Sequence, residues 1–148
     1  MKIEEVLHLW KVDSRIDQSR LDEESVKTPM LHAKYLEILS GVRVKLNKEK
    51  TKLKKSELQT KRWLSGKMTK EEMDELKWEY DPWKGESKPM KSEMDAHVRV
   101  QPWIIEQTEC VIELDIMHDS LVDIVSNLTW RHQSIRNAID FMRFTSGS

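Results

Sequence analysis

Residues 103–142 read WIIEQTECVIELDIMHDSLVDIVSNLTWRHQSIRNAIDFM, and their apolar spacing decides the fold class. Ile104, Val111, Leu114, His118, Leu121, Val125, Leu128, His132, Ile135, Ile139 and Met142 follow one another in steps of 3, 4 or 7. Steps of that size put side chains on one stripe of a helix, and their repetition is the pattern of helices packed along a shared seam. Ile105, Ile112, Ile116, Val122 and Ile124 flank the stripe, so the apolar face is wider than a two-stranded zipper needs. The expectation is a C-terminal helical region that buries its seam against copies of itself, in a bundle or a multi-chain barrel. Val111, Leu114, His118, Leu121, Val125, Leu128, Ile135, Ile139 and Met142 would form the oligomer interface. Thr129 is expected to cap a local break, with the helix restarting at Trp130.

The totals agree with helices. Of 148 residues, 34 % are charged and only 38 % hydrophobic, and four Gly and four Pro leave little material for loops. The length suits one domain and is enough to bury a core. Cys110 stands alone, which forbids an intrachain disulfide and fits a reducing compartment. The opening MKIEEVLHLW has acids where an export signal needs an apolar run. No stretch approaches the roughly 18 apolar residues of a membrane span. A soluble, intracellular chain without a membrane partner is expected.

Ile3, Val6, Leu7 and Trp10 mark a short amphipathic helix, followed by turn residues Asp13, Ser14 and Asp17, after which SRLDEESVK (19–27) reads as a second short helix capped by Ser19 or Asp17. Pro29 fits a first helical turn with Thr28 as its cap. From Met30 a long helix should run to about Leu64, where Ser65-Gly66-Lys67 ends it with Gly66 as C-cap. Residues 68–76, MTKEEMDEL, read as a short helix with Thr69 and Glu72 as a capping box. Residues 77–91, KWEYDPWKGESKPMK, read as a loop or short strand fastened to a helix by its aromatics. AHVRV at 96–100 alternates weakly, as a strand or a helix start. The fold expected is mainly α: an elongated helical subunit with a long basic helix, a small irregular or β segment near 78–100 and a C-terminal oligomerising region. Its three regions are residues 1–67, 68–102 and 103–148.

Charge is distributed unevenly. Between Arg43 and Arg62 there are nine Lys or Arg and two acids, although the chain has 25 basic and 26 acidic residues. Residues 103–128 carry six acids and no Lys or Arg. Lysines along a helix can neutralise phosphates and release counterions, and Trp63 beside Arg62 offers a surface for a base. On that reading Lys45, Lys48, Lys52, Lys54, Lys55, Lys61, Arg62, Trp63 and Lys67 would meet nucleic acid, with little dependence on its sequence. A solvated helix face and a docking site for an acidic protein stay open as alternatives. No catalytic constellation is visible, and no metal or cofactor is expected. Ser65-Gly66-Lys67 lacks the upstream Gly of a phosphate-binding loop, and the five histidines are not at metal spacing. His118 and His132 read as histidines that hydrogen-bond locally, and Cys110 as an inert thiol on an apolar helix.

Four stretches add a further signal: DSRIDQSRLDEESVKTPMLHAKY (13–35), KRWLSGK (61–67), KSEM (91–94) and RHQSIRNAIDFMRFTSG (131–147). In order along the chain they resemble the UvsY-like recombination mediator family of T-even-type phages. The likeness rests on Ile16, Asp17, Leu21, Glu24, Leu31, Lys34 and Tyr35, then on Trp63, Ser65, Gly66 and Lys67, then on Ile135, Arg136, Ala138, Ile139, Asp140 and Phe144. The resemblance implies a non-enzymatic accessory protein of the infected bacterial cytoplasm that forms hexamers or heptamers through its C-terminal helices. It also implies that such a protein binds single-stranded DNA, helps displace the single-strand binding protein and loads a RecA-like phage recombinase. The competing expectation is a structural coiled-coil adaptor that binds no DNA. An enzyme, such as a nuclease accessory subunit, has no paired acids to support it.

Overall fold

The structure, a computed structural model, describes residues 1–147. It contains five helices and, among the described residues, no strand. They are α1 (Ile3–Asp13), α2 (Leu21–Leu64), α3 (Lys70–Leu76), α4 (Lys91–Arg99) and α5 (Pro102–Thr145). The chain forms two compact units that cut across the three sequential regions expected. A terminal unit holds Met1–Leu46 and the chain from Glu113 onward, and a central unit holds Asn47–Ile112. The division is not sequential because α2 and α5, each 44 residues long, contribute to both units.

In the terminal unit, α1 is tied to α2 around Tyr35, whose side chain is fully buried. Trp10 meets the Tyr35 ring edge-on at 5.4 Å. Asp13 Oδ2 accepts hydrogen bonds from Lys34 Nζ at 2.6 Å and from Tyr35 Oη at 2.9 Å. Burial pushes the Asp13 carboxyl up, but the bonds from Lys34 and Tyr35 and the Lys34 charge outweigh it and hold it below the usual carboxylate range. Burial, with the bond to Asp13, pushes the Tyr35 phenol up.

α2 begins at Leu21, eight residues before the proline at which a start was expected. Pro29 sits inside the helix, where it withholds one N–H and crowds the carbonyl a turn back. The same turn receives donors from elsewhere. Arg131 Nη1 donates to the Glu24 carbonyl and, at 2.7 Å, to Thr28 Oγ1, while Nη2 meets Glu24 Oε2 at 2.6 Å. Both charged side chains are buried, and Lys27 adds a second cation 3.0 Å from Glu24. Thr28 is therefore a hydrogen-bonding residue within the helix, not its cap. The break expected at Thr129 is also absent. Thr129 Oγ1 bonds back to the Ser126 carbonyl at 2.6 Å, and α5 continues through Trp130.

The central unit packs Leu64, Met94, Val98 and Ile104 into a small core, with Leu53, Trp63, Trp83 and Trp103 partly buried against it. α2 ends as its sequence indicates. Gly66 has φ +73°, Lys67 N–H reaches the Arg62 carbonyl at 2.9 Å, and Gly66 N–H reaches Trp63 at 3.1 Å. Thr69 caps α3 by accepting from Glu72 N–H at 3.2 Å. The weak alternation at 96–100 belongs to a helix: Met94 and Val98, four apart on α4, face the core, and Val100 just beyond is exposed. The irregular segment is thus confined to residues 77–90.

Replacing Arg131 by Ala leaves the Glu24 carboxylate buried without its main partner, which should cost about 3–5 kcal/mol in urea denaturation. The apolar pair Glu24→Leu with Arg131→Met should lose less than Arg131→Ala alone. Asp13 and Glu24 hold their protons more weakly in the folded chain than in the unfolded one. Their contribution to stability is therefore complete above the ordinary values of 3.8 and 4.5 and is lost as the pH falls through the lowered folded values. Urea midpoints measured from about pH 6 down to about pH 2 should fall less steeply for Asp13→Asn than for the parent chain.

Candidate nucleic-acid interface

The part of α2 in the central unit turns only a thin stripe inward. Leu53, Thr60 and Leu64, at steps of 7 and 4, face the core. Thr60 is fully buried, and its hydroxyl accepts the Trp103 indole N–H at 2.9 Å. The two flanks of the stripe are left for lysines. Lys48, Lys52 and Lys55 share one flank, where with Asn47 and Thr51 they line a shallow depression of about 370 Å³. Lys54 and Lys61, seven apart, share the other flank and face α4 across a cleft of about 330 Å³.

The expected contact residues differ in how free they are. Lys48, Lys52, Lys54, Lys55 and Lys67 are exposed and make no ion pair among the described residues. Lys45, in the terminal unit, is likewise exposed. Lys61 Nζ lies 3.0 Å from Asp95 Oδ1, and Arg62 Nη2 lies 3.3 Å from Glu72 Oε2. All four partners are about half exposed, so these pairs contribute little and exchange readily with another anion.

Trp63 is partly buried beside Arg62 and packs against other tryptophans. Its ring centroid lies 4.9 Å from that of Trp78 and 5.9 Å from that of Trp103, and its N–H donates to the Glu79 carbonyl at 2.8 Å. Trp78 and Trp103 stack on each other at 5.0 Å. The Trp83 indole N–H reaches the Leu64 carbonyl at 2.9 Å, and Lys88 Nζ bonds the Ser65 carbonyl. The aromatic segment does fasten to a helix, as its composition indicated, and Trp63 is one of its anchors. Arg99, on the α4 side of the cleft, was missed because its helix was ambiguous in the sequence; the i,i+4 spacing of Met94 and Val98 was the available signal.

The seam of α5 is largely spent within the chain. Val111, Leu114, Leu121, Leu128 and Ile135 are buried in the single chain, so they are core residues and not a free face. His118, Val125 and Ile139 are partly buried, and Met142 is exposed. His118 bonds locally to Asp119 at 3.1 Å, and its Nε2 also accepts from Arg43 Nε of α2 at 3.5 Å. Apart from Met142, the apolar side chains that α5 leaves in water lie off the seam. In the terminal unit they include Ile116, Val122, Trp130, Phe141 and Phe144. Among the described residues no group of His, Cys, Asp or Glu is arranged to hold a metal ion, and no helix is long and apolar enough to cross a membrane.

The sequence model of a family described as "Recombination, repair and ssDNA binding protein UvsY" matches residues 9–148. No curated protein matches the chain. Among solved structures, the fold is similar to the recombination mediator protein UvsY of bacteriophage T4. Its lattice type II crystal structure aligns with TM-score 0.82 and 20 % identity, over 99 % of this chain and 98 % of that one. Lattice type I gives 0.80 and 19 %, over 95 % and 98 %, and lattice type IV gives 0.79 and 16 %, over 98 % and 99 %.

The burial pattern separates two substitutions on α5. Leu121→Asp places a charge where the side chain has no exposure and should destabilise the chain by about 3 kcal/mol or more. Ile116→Asp, at a half-exposed position, should stay within about 1 kcal/mol. Both are read by urea denaturation at low protein concentration. Equally small losses would return Leu121 to a surface between copies.

Proposed function

Because the chain belongs to the UvsY family of recombination, repair and single-stranded-DNA-binding proteins, we propose that it is a recombination mediator. It binds single-stranded DNA on the lysine-bearing part of α2, helps displace the single-strand binding protein and loads a RecA-like recombinase in phage recombination and repair. It does so without catalysing a reaction, in the cytoplasm of the infected bacterium. The observation that carries this reading is the set of unpaired lysines on both flanks of one helix. Lys48, Lys52 and Lys55 stand on one flank and Lys54 on the other, and no acid is bound to any of them among the described residues. Phosphates would release counterions there.

A homo-oligomer, a hexamer or heptamer, is part of the proposal. Since most of the seam of α5 is already used, the exposed residues Ile116, Val122, Trp130, Phe141, Met142 and Phe144 are the apolar surface left for copies of the chain. Several weak sites on one assembly raise the local concentration of the strand and give affinity without new contacts. An adaptor that binds no DNA would share the apolar surface and differ only in leaving the lysines solvated.

Fluorescence anisotropy of a labelled oligo-dT strand decides between them, at two salt concentrations and with a duplex as control. The mediator reading predicts preference for the single strand and affinity that falls steeply with salt, with a slope of about −0.7 per phosphate neutralised. Lys52→Glu combined with Lys55→Glu should weaken binding at least about tenfold at low salt. Absence of binding by the parent chain at low salt would leave the adaptor.

A further inference from the structure

The cleft between α2 and α4 in the central unit combines features that neither helix has alone. Lys54 and Lys61 stand on its α2 side and Arg99 on its α4 side. Leu58 lies between the two lysines along α2 and is 64 % exposed, an apolar side chain left in water inside a basic groove. Two acids share the space: Glu57 on α2, and Asp95, whose carboxylate already sits on Lys61 at 3.0 Å. Asp95 and Arg99 are four residues apart on α4, so they occupy one face on successive turns. The groove thus has three cations, an anion that marks where another anion can sit, and an apolar wall.

We propose that this cleft is a second subsite for single-stranded DNA, separate from the Lys48, Lys52 and Lys55 flank. A phosphate displaces Asp95 from Lys61 and is held from the opposite wall by Arg99, while Leu58 supports the adjoining sugar or base. Arg99 is the positioning cation of α4, and Asp95 is a stand-in for phosphate in the free protein. The occupant is a single strand because a duplex turns its bases away from such an apolar wall. This inference rests on the DNA-binding reading given above.

The test uses the full chain and the same oligo-dT strand over a salt series, with Arg99→Ala, Asp95→Asn, Lys52→Glu and Glu86→Gln. All four positions are exposed, and thermal denaturation checks that each variant is folded. Arg99→Ala should weaken binding severalfold and make the salt slope shallower by about 0.7, a change that a merely structural role would not produce. Asp95→Asn should tighten binding severalfold, and more than Glu86→Gln, which makes the same change of charge away from the cleft. Weaker binding in both α4 variants, or equal tightening by Asp95→Asn and Glu86→Gln, would overturn the subsite. So would parent-like behaviour of both α4 variants while Lys52→Glu weakens binding, and in that case DNA binding itself would stand. Failure of the parent chain to bind would remove both.

Discussion

The buried contact between Glu24 and Arg131 constrains everything else in the terminal unit. It joins residues 107 apart in sequence and places a guanidinium on the first turns of α2. Two charges out of water are costly unless their hydrogen-bonding capacity is used. Here Glu24 takes both Arg131 and Lys27, and Arg131 also serves the Glu24 carbonyl and the Thr28 hydroxyl, which leaves only its buried Nε without a hydrogen bond. The arrangement braces the turn that immediately precedes Pro29. A helix that might have started at the proline starts at Leu21 instead, and Leu21 itself joins the core.

The central unit solves a different problem. A helix carrying so many lysines has few apolar side chains with which to hold itself in place. The tryptophans supply what it lacks. Trp63, Trp78 and Trp103 pack on one another, and their neighbours Trp83 and Lys88 bind carbonyls at the end of α2. Large aromatic contacts concentrated at one end let the rest of the helix manage with a narrow inward stripe. That economy is what leaves two flanks free for lysines, so the packing and the proposed function are linked through the same helix.

What could be read from the sequence was what depends on neighbours in the chain. The end of α2 at Gly66, the Thr69 cap and the helical period of residues 103–142 are local, and all are present. What could not be read depends on distant partners. Pro29 reads as a first turn, whereas α2 begins eight residues earlier, on turns that Arg131, 102 residues further on, holds through Glu24 and Thr28. Trp63 looked free because Trp78 and Trp103 lie 15 and 40 residues further on. The α5 seam was visible as an apolar face, but periodicity defines a face and not what covers it. Leu121 and Leu128 are therefore core residues where contact with another copy was expected. The lysine flanks were legible as charge, while their division into two sides needed the position of α4.

The capped end of α2 has an electrostatic consequence. A helix gathers partial negative charge at its last carbonyls, and a bare terminus would repel a polyanion passing beside it. Here the Leu64 carbonyl faces an indole N–H, the Ser65 carbonyl faces an ammonium group, and the Arg62 and Trp63 carbonyls are bonded by backbone N–H groups. The negative pole is thus muted next to Lys61 and Lys67. A loop whose first task is to fasten the fold thereby also clears the field along which a phosphate backbone would approach.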